Sequence, residues 1–241
     1  MLLRPPPPDL MLGASLFLDF DGTLVEIAEA PDAIRVGEGV RQLLADLSDR
    51  LGGRLVLVSG RSSADVRTWL APLALPVVGS HGLELPGRSV SPPDELETGI
   101  LQLQRLEQRF AGVLVERKPM GAALHYRQAP NAGEACRLAA EQVAAVTGLK
   151  VQPGKMVYEL KPAEADKGTA IRILMAEPLH ADTRPVFIGD DLTDEHGFAV
   201  ARELGGAGVL VGEERPTAAT YRLPGVAAVH QWLNDALERL P

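Results

Sequence analysis

Three stretches of the chain are apolar without alternation: Ser15 to Leu18, Arg54 to Val58 and Pro185 to Ile188. Continuous runs of this length fit parallel strands buried on both faces, whereas a half-buried strand would alternate. Each run breaks abruptly into small and polar residues: Asp19-Phe20-Asp21-Gly22-Thr23, Ser59-Gly60-Arg61 and Gly189-Asp190-Asp191. Between the first two runs, Val40, Leu43, Leu44, Leu47 and Leu51 recur at helical spacing, and Gly52-Gly53 stops the helix. Strand, helix and strand in that order predict a βαβ unit and a parallel sheet. Ligands bind beyond the carboxyl ends of the strands in such sheets, and all three polar breaks fall there.

The middle of the chain follows another pattern. A helix is predicted over Glu95 to Phe110, then strands at Val113 to Arg117 and Ala122 to Arg127. A second helix, Gly133 to Thr147, precedes strands at Lys150 to Gln152 and Met156 to Leu160. Helix, hairpin, helix, hairpin makes a compact α+β unit with an antiparallel sheet. The core pattern resumes with a helix from Lys167 to Met175. The expected architecture is therefore α/β: a doubly wound parallel-sheet, Rossmann-like core from residues 1–83 and 163–241, with an inserted α+β cap domain at 84–162 acting as a lid.

The strand-end residues carry the candidate chemistry. Asp19 and Asp21 are two apart in a loop, so both carboxylates can enter one site. One can attack phosphorus while the other protonates the leaving oxygen and then deprotonates water. An Asx-turn would use the same residues. Gly22 permits a sharp turn, and the Thr23 hydroxyl suits phosphate oxygens. Ser59 and Gly60 offer a hydroxyl and a backbone N–H at a helix start, although Ser59, Ser62 and Ser63 also read as helix caps. Asp190 with Asp19 would give Mg²⁺ the hard oxygen ligands it takes. Asp191 and Asp194 are open between supporting that site and orienting Lys167, and Glu195 reads as the start of a helix. An aspartate attacking a phosphate dianion needs compensating positive charge, which a metal and Lys167 would provide.

In its order and residue types this set resembles the haloacid dehalogenase superfamily. The resemblance implies Asp19 as nucleophile and Asp21 as general acid/base. It implies phosphate contacts from Ser59 and Lys167, and Mg²⁺ held by Asp190 and by the Asp21 backbone carbonyl. Further segments resemble the trehalose-6-phosphate phosphatase family over about Leu16 to Leu237. They are Gly79-Ser-His81-Gly82-Leu-Glu84, Val115-Glu116-Arg117-Lys118 with Leu124-His125-Tyr126-Arg127, Gly154-Lys155 with Glu159, and Gly189-Asp-Asp-Leu-Thr-Asp-Glu195. That resemblance implies sugar contacts at His81, Glu116, Lys118, Arg127, Lys155 and Glu159, while Arg117 and Met120 depart from the family pattern. Strand periodicity alone puts Glu116 with Lys118, His125 with Arg127, and Lys155 with Val157 and Glu159 on shared faces. An ordinary solvent-facing sheet would also be polar there. The alternatives are a sister phosphatase for sucrose phosphate, mannosylglycerate phosphate or a hexose phosphate, and a non-catalytic sugar-phosphate sensor. The sensor reading predicts loss of a core residue, and all are present.

Composition narrows the partners. The net charge of −8 argues against a nucleic-acid or anionic-membrane surface and for a small-molecule partner. It also obliges the site to supply positive charge locally. Hydrophobic residues make up 46 % of the chain, enough for a real core. The lone cysteine, Cys136, has no base beside it and reads as helix packing; a chain with no possible internal disulfide suits the cytoplasm. Pro5 to Pro8 read as a short stiff arm, no signal peptide or membrane span is expected, and a monomer is expected.

Overall fold

The computed structural model describes residues 3–27, 34–88, 92–118, 120–162 and 166–241. The chain divides into two compact units, Met1–Arg88 with Asp166–Pro241, and Ser89–Ala165.

The first unit is built on six strands in the order β10-β9-β8-β1-β2-β3, and every neighbouring pair is parallel. They are β1 (Ala14–Leu18), β2 (Leu55–Val58), β3 (Val77–Val78), β8 (Arg184–Gly189), β9 (Ala207–Val211) and β10 (Tyr221–Leu223). The helices are α1 (Glu38–Arg50), α2 (Ser63–Leu70), α5 (Lys167–Met175), α6 (Glu195–Glu203) and α7 (Val226–Leu237). Along β1, Leu16 and Leu18 join the buried cluster of α1 and α7, whereas Phe17 joins that of α5 and α6. Helices on both faces are why the strands read as unbroken apolar runs. From β1 the chain first builds outward to β2 and β3, then returns to β8 on the other side of β1. The strand order thus reverses between β1 and β8, which is where open α/β sheets form their ligand crevice.

Two polar features hold this unit at its margins. Ser15, buried in β1, hydrogen-bonds His180 Nδ1 at 2.8 Å and Thr183 Oγ1 at 2.6 Å. The proline-rich arm is docked: Trp232 Nε1 of α7 donates to the Pro6 carbonyl at 2.8 Å, and Arg222 N donates to the Arg4 carbonyl at 3.0 Å.

The second unit is a four-stranded antiparallel sheet, β4-β5-β7-β6, with two helices. These are β4 (Leu114–Lys118), β5 (Gly121–His125), β6 (Leu149–Gly154), β7 (Val157–Pro162), α3 (Leu96–Arg109) and α4 (Gly133–Thr147). Ala122, Leu124 and Leu160 of the sheet pack with Ile100 and Leu103 of α3 and Ala140 and Val143 of α4. Cys136 sits fully buried in that cluster, where burial pushes its thiol up.

Three readings from the sequence shift. β5 ends at His125, so Arg127 lies in the following turn, exposed, and does not share a strand face with His125. Gly154 pairs with Val157, leaving Lys155 and Met156 as a two-residue turn with Met156 at φ 63°. Lys155 therefore stands at a hairpin tip and not on the strand with Glu159. Residues 84–88 belong with the first unit. Glu84 ties them there by accepting from Ser63 N at 2.9 Å and from the Ser80 hydroxyl. Burial works against ionising Glu84, but those hydrogen bonds outweigh it and hold its carboxyl below the usual range. Pro119 and residues 163–165, which carry the second boundary, lie outside the described residues.

Candidate active site

The loops leaving β1 and β8 bring Asp19 and Asp190 together at the point of strand reversal. Asp19, Asp190 and Asp194 each place a carboxylate oxygen within 4.8 Å of the others. Lys167, the first residue of α5, reaches into this group. Its ammonium donates to Asp19 Oδ1 and to Asp194 Oδ1, both at 2.6 Å, and only 3 % of Lys167 is exposed. The residue before it caps the helix, with Asp166 Oδ1 accepting from Thr169 N at 2.8 Å. That cap fixes where α5 begins and hence where Lys167 starts.

Thr23 is also fully buried, and its hydroxyl lies 3.4 Å from Asp19 Oδ2 and 3.3 Å from Asp190 Oδ1. Gly22 makes the turn between Asp21 and Thr23 possible. It has φ 75°, and a Cβ there would stand 2.2 Å from Asp190 Oδ2. Any other residue would be strained and would collide with the carboxylate.

The loop after β2 supplies Ser59 and Gly60. Ser59 is buried, and its Oγ accepts from Arg61 N at 3.1 Å, so it is no helix cap; Ser62 caps α2 by accepting from Asp65 N. His81, at φ 57° in the turn after β3, lays its ring against Gly60, where a Cβ would come within 2.5 Å of Cε1. Asp21 is less buried than Asp19 and forms a two-point ion pair with Arg61.

The electrostatics follow from crowding. Burial pushes the Asp19 carboxyl up to about 7 against the pull of Lys167, and Asp190 adds to the rise. Burial and the charge of Asp19 push Asp194 up to about 6, and burial likewise raises Asp190. Burial works against the charge on Lys167, but Asp19 and Asp194 outweigh it and hold it well above its ordinary value. Three carboxylates against one ammonium leave an excess of negative charge, and desolvation penalises it. A hard divalent cation meets that need with the right donor atoms. Asp194 is already engaged by Lys167 and by Asp191 N at 2.9 Å. It is thus a direct partner of the lysine, and Asp191 caps the turn that leads into α6.

Two arginines complete the loops. Arg215 donates to the Asp191 carbonyl at 2.8 Å and pairs with Glu195, which also accepts from Ala218 N. Nothing in the sequence marked Arg215, because an isolated loop arginine has no local signature. Arg61 was visible beside Ser59-Gly60, but its partner lies 40 residues away.

In the second unit, opposed residues Glu116, Ala123, Glu159 and Gln152 form one row across the sheet, on the face away from α3 and α4. Lys118 Nζ contacts Glu159 Oε1 at 2.5 Å, and His125 Nε2 contacts Glu116 Oε2 at 2.9 Å. Glu116, Lys118 and Glu159 are thus gathered on one polar face, with Arg127 and Lys155 in turns beyond strand ends.

Comparison with known proteins gives a consistent answer. The Trehalose-phosphatase family profile matches residues 17–227. The chain is 39% identical over 233 residues to trehalose-6-phosphate phosphatase of Escherichia coli, covering 94% of this chain and 87% of that one. It is 37% identical over 213 residues to a probable trehalose-phosphate phosphatase of Sinorhizobium fredii, covering 84% and 79%. A crystal structure of a trehalose-6-phosphate phosphatase related protein superposes with TM-score 0.70 at 25% identity, over 93% of this chain and 97% of that one. The C-terminal domain of Candida albicans trehalose-6-phosphate phosphatase shares the fold with TM-score 0.73 at 21% identity, over 98% of each chain. With its strand-end aspartates and buried lysine set in that fold, the chain belongs to the trehalose-phosphatase family.

Proposed function

We propose that the protein hydrolyses trehalose-6-phosphate to trehalose and inorganic phosphate, with Mg²⁺, through a phosphoryl group carried on Asp19. The observation that carries this reading is the buried Asp19–Lys167–Asp194 chain at the reversal of the parallel sheet. Lys167 holds one oxygen of Asp19, which leaves the other for attack on phosphorus. As that P–O bond forms, the bond to the sugar oxygen breaks and Asp21 gives the leaving oxygen its proton. Asp21 then takes a proton from water, whose oxygen displaces Asp19 from phosphorus and releases phosphate. Ser59, Gly60 and Thr23 receive the phosphoryl oxygens alongside Lys167. Mg²⁺, held by Asp19, Asp190 and the Asp21 carbonyl, would supply positive charge against the phosphoryl oxygens.

The sugar is read by Glu116, Lys118 and Glu159, with His81, Arg127 and Lys155 contributing. Paired carboxylates and an ammonium provide acceptors and donors for a ligand rich in hydroxyls. Phosphate release should be measured with Mg²⁺ from trehalose-6-phosphate, sucrose-6-phosphate, glucose-6-phosphate and mannosyl-3-phosphoglycerate. Preference for the trehalose ester, abolished by EDTA and restored by excess Mg²⁺, is expected. Metal-dependent release from a different sugar would overturn the substrate, and undiminished release in EDTA would overturn the metal.

A further inference from the structure

Arg61 makes contacts that the phosphate pocket does not require. Its Nε and a terminal nitrogen donate to the two oxygens of Asp21 at 2.7 and 2.8 Å. Its guanidinium carbon lies 4.9 Å from the centre of the Trp69 ring. Trp69, on α2, is itself stacked on Phe20 at 5.8 Å with an interplanar angle of 11°. Phe20 is fully buried and stands in sequence between the two aspartates. The Arg61 backbone is pinned at both ends: its N–H donates to Ser59 Oγ, and its carbonyl accepts from Ser80 N at 2.7 Å.

Stability does not explain this arrangement. Both partners keep about a quarter of their side-chain surface in water, 24% for Arg61 and 29% for Asp21. Ion pairs that wet contribute little to folding. What the fork does supply is direction. Two parallel N–H···O bonds fix the plane of the carboxylate, which a single-point ammonium cannot do. The indole beneath the guanidinium limits its swing. Each carboxylate oxygen keeps a second lone pair, so Asp21 can still exchange a proton while the fork holds it.

We infer that Arg61 is the positioning residue for Asp21, with Trp69 as its platform, so that the loop after β2 aims the proton donor carried by the loop after β1. The inference rests on the phosphatase reading above. In the step that moves the phosphoryl group to Asp19, aim matters only when the leaving oxygen needs a proton, because a good leaving group departs without one. The chemistry therefore gives a signature separate from folding or phosphate binding.

The test uses the full chain with Mg²⁺ and two small esters, phenyl phosphate and 4-nitrophenyl phosphate. Arg61→Lys keeps the charge but loses the fork, and Arg61→Gln loses both. Each should lower kcat/KM, which reports only the steps through phosphoryl transfer to Asp19, by about a hundredfold on phenyl phosphate, the scale of a misplaced catalytic group. The 4-nitrophenyl ester should lose only a few-fold in kcat/KM. Trp69→Leu should move the ratio of the two rates in the same direction by less, with circular dichroism unchanged. Equal losses of kcat/KM on the two esters in Arg61→Lys would overturn the inference by making Arg61 a structural or phosphate-binding residue. A wild-type protein that releases phosphate from neither ester nor trehalose-6-phosphate would sink the phosphatase reading, and this one with it.

Discussion

Deleting the ammonium of Lys167 would leave Asp19 and Asp194 facing each other in a pocket from which water is largely excluded. Breaking a buried pair on one side costs about 3 to 5 kcal/mol, because the remaining charge has neither solvent nor partner. Lys167→Met should accordingly destabilise the protein by about that much in urea unfolding at neutral pH. Most of the loss should return when Asp194→Asn is added, since the amide removes one of the orphaned charges. No recovery in the double variant would mean that Lys167 serves the fold through packing. At this scale Asp19, Asp21, Thr23, Ser59, Lys167 and Asp190 were legible because each sits where an apolar run ends or a helix begins. Their partners were less so: Asp194 was left open between supporting the site and orienting Lys167, and nothing tied Arg61 to Asp21. Asp194 lies 27 residues from Lys167 and Arg61 lies 40 from Asp21, and only the folded sheet brings each pair together.

Elements show the same division between local and tertiary information. The apolar runs of β1, β2 and β8 and the helical spacing of α1 announced themselves, whereas β9, β10 and α7 were left unread. β10 has only three residues, too few to establish a period, and its place is set by pairing with β9. The end of β1 opposite the aspartates offers a test of packing around a histidine. His180 is buried against Phe17 and Ser15, with Glu177 and Arg54 as charged neighbours. Burial holds its imidazole below the ordinary value. In the unfolded chain it takes a proton below about pH 6.5, while in the fold it stays neutral to lower pH. Its contribution is therefore complete above about pH 6.5 and is lost as the pH falls toward the folded value. Urea midpoints compared at neutral and mildly acid pH should fall less steeply for His180→Asn than for the wild type. Equal slopes would remove His180 from the acid limb. On the antiparallel sheet, Glu159→Ala also strips Lys118 of its partner. It should lower kcat/KM for trehalose-6-phosphate by about 5- to 150-fold, equivalent to about 1 to 3 kcal/mol for a polar partner lost to the bound sugar, and spare 4-nitrophenyl phosphate. Matching losses on both esters would count against a sugar-reading face.

Across the whole molecule, the charge of −8 stands opposed to an anionic substrate. The positive charge at the strand ends is local: Lys167 is buried against Asp19 and Asp194, and Arg61 is paired with Asp21. Neither projects a long-range field, so approach of a phosphate dianion is opposed at distance and favoured only at contact. Screening acts on the distant part first, since the Debye length is about 10 Å at 0.1 M salt. With Mg²⁺ held saturating, raising KCl from about 20 to about 200 mM should leave kcat/KM for trehalose-6-phosphate level or raise it up to about twofold. An enzyme that steers its anionic substrate with a basic surface would lose rate over the same range. A steep fall would therefore mean that a positive patch governs the encounter. Lys118, Lys155 and Arg127 of the second unit would be the first residues to neutralise. A level or rising profile would mean that the aspartates and lysine at the strand ends do their work only after the substrate has arrived.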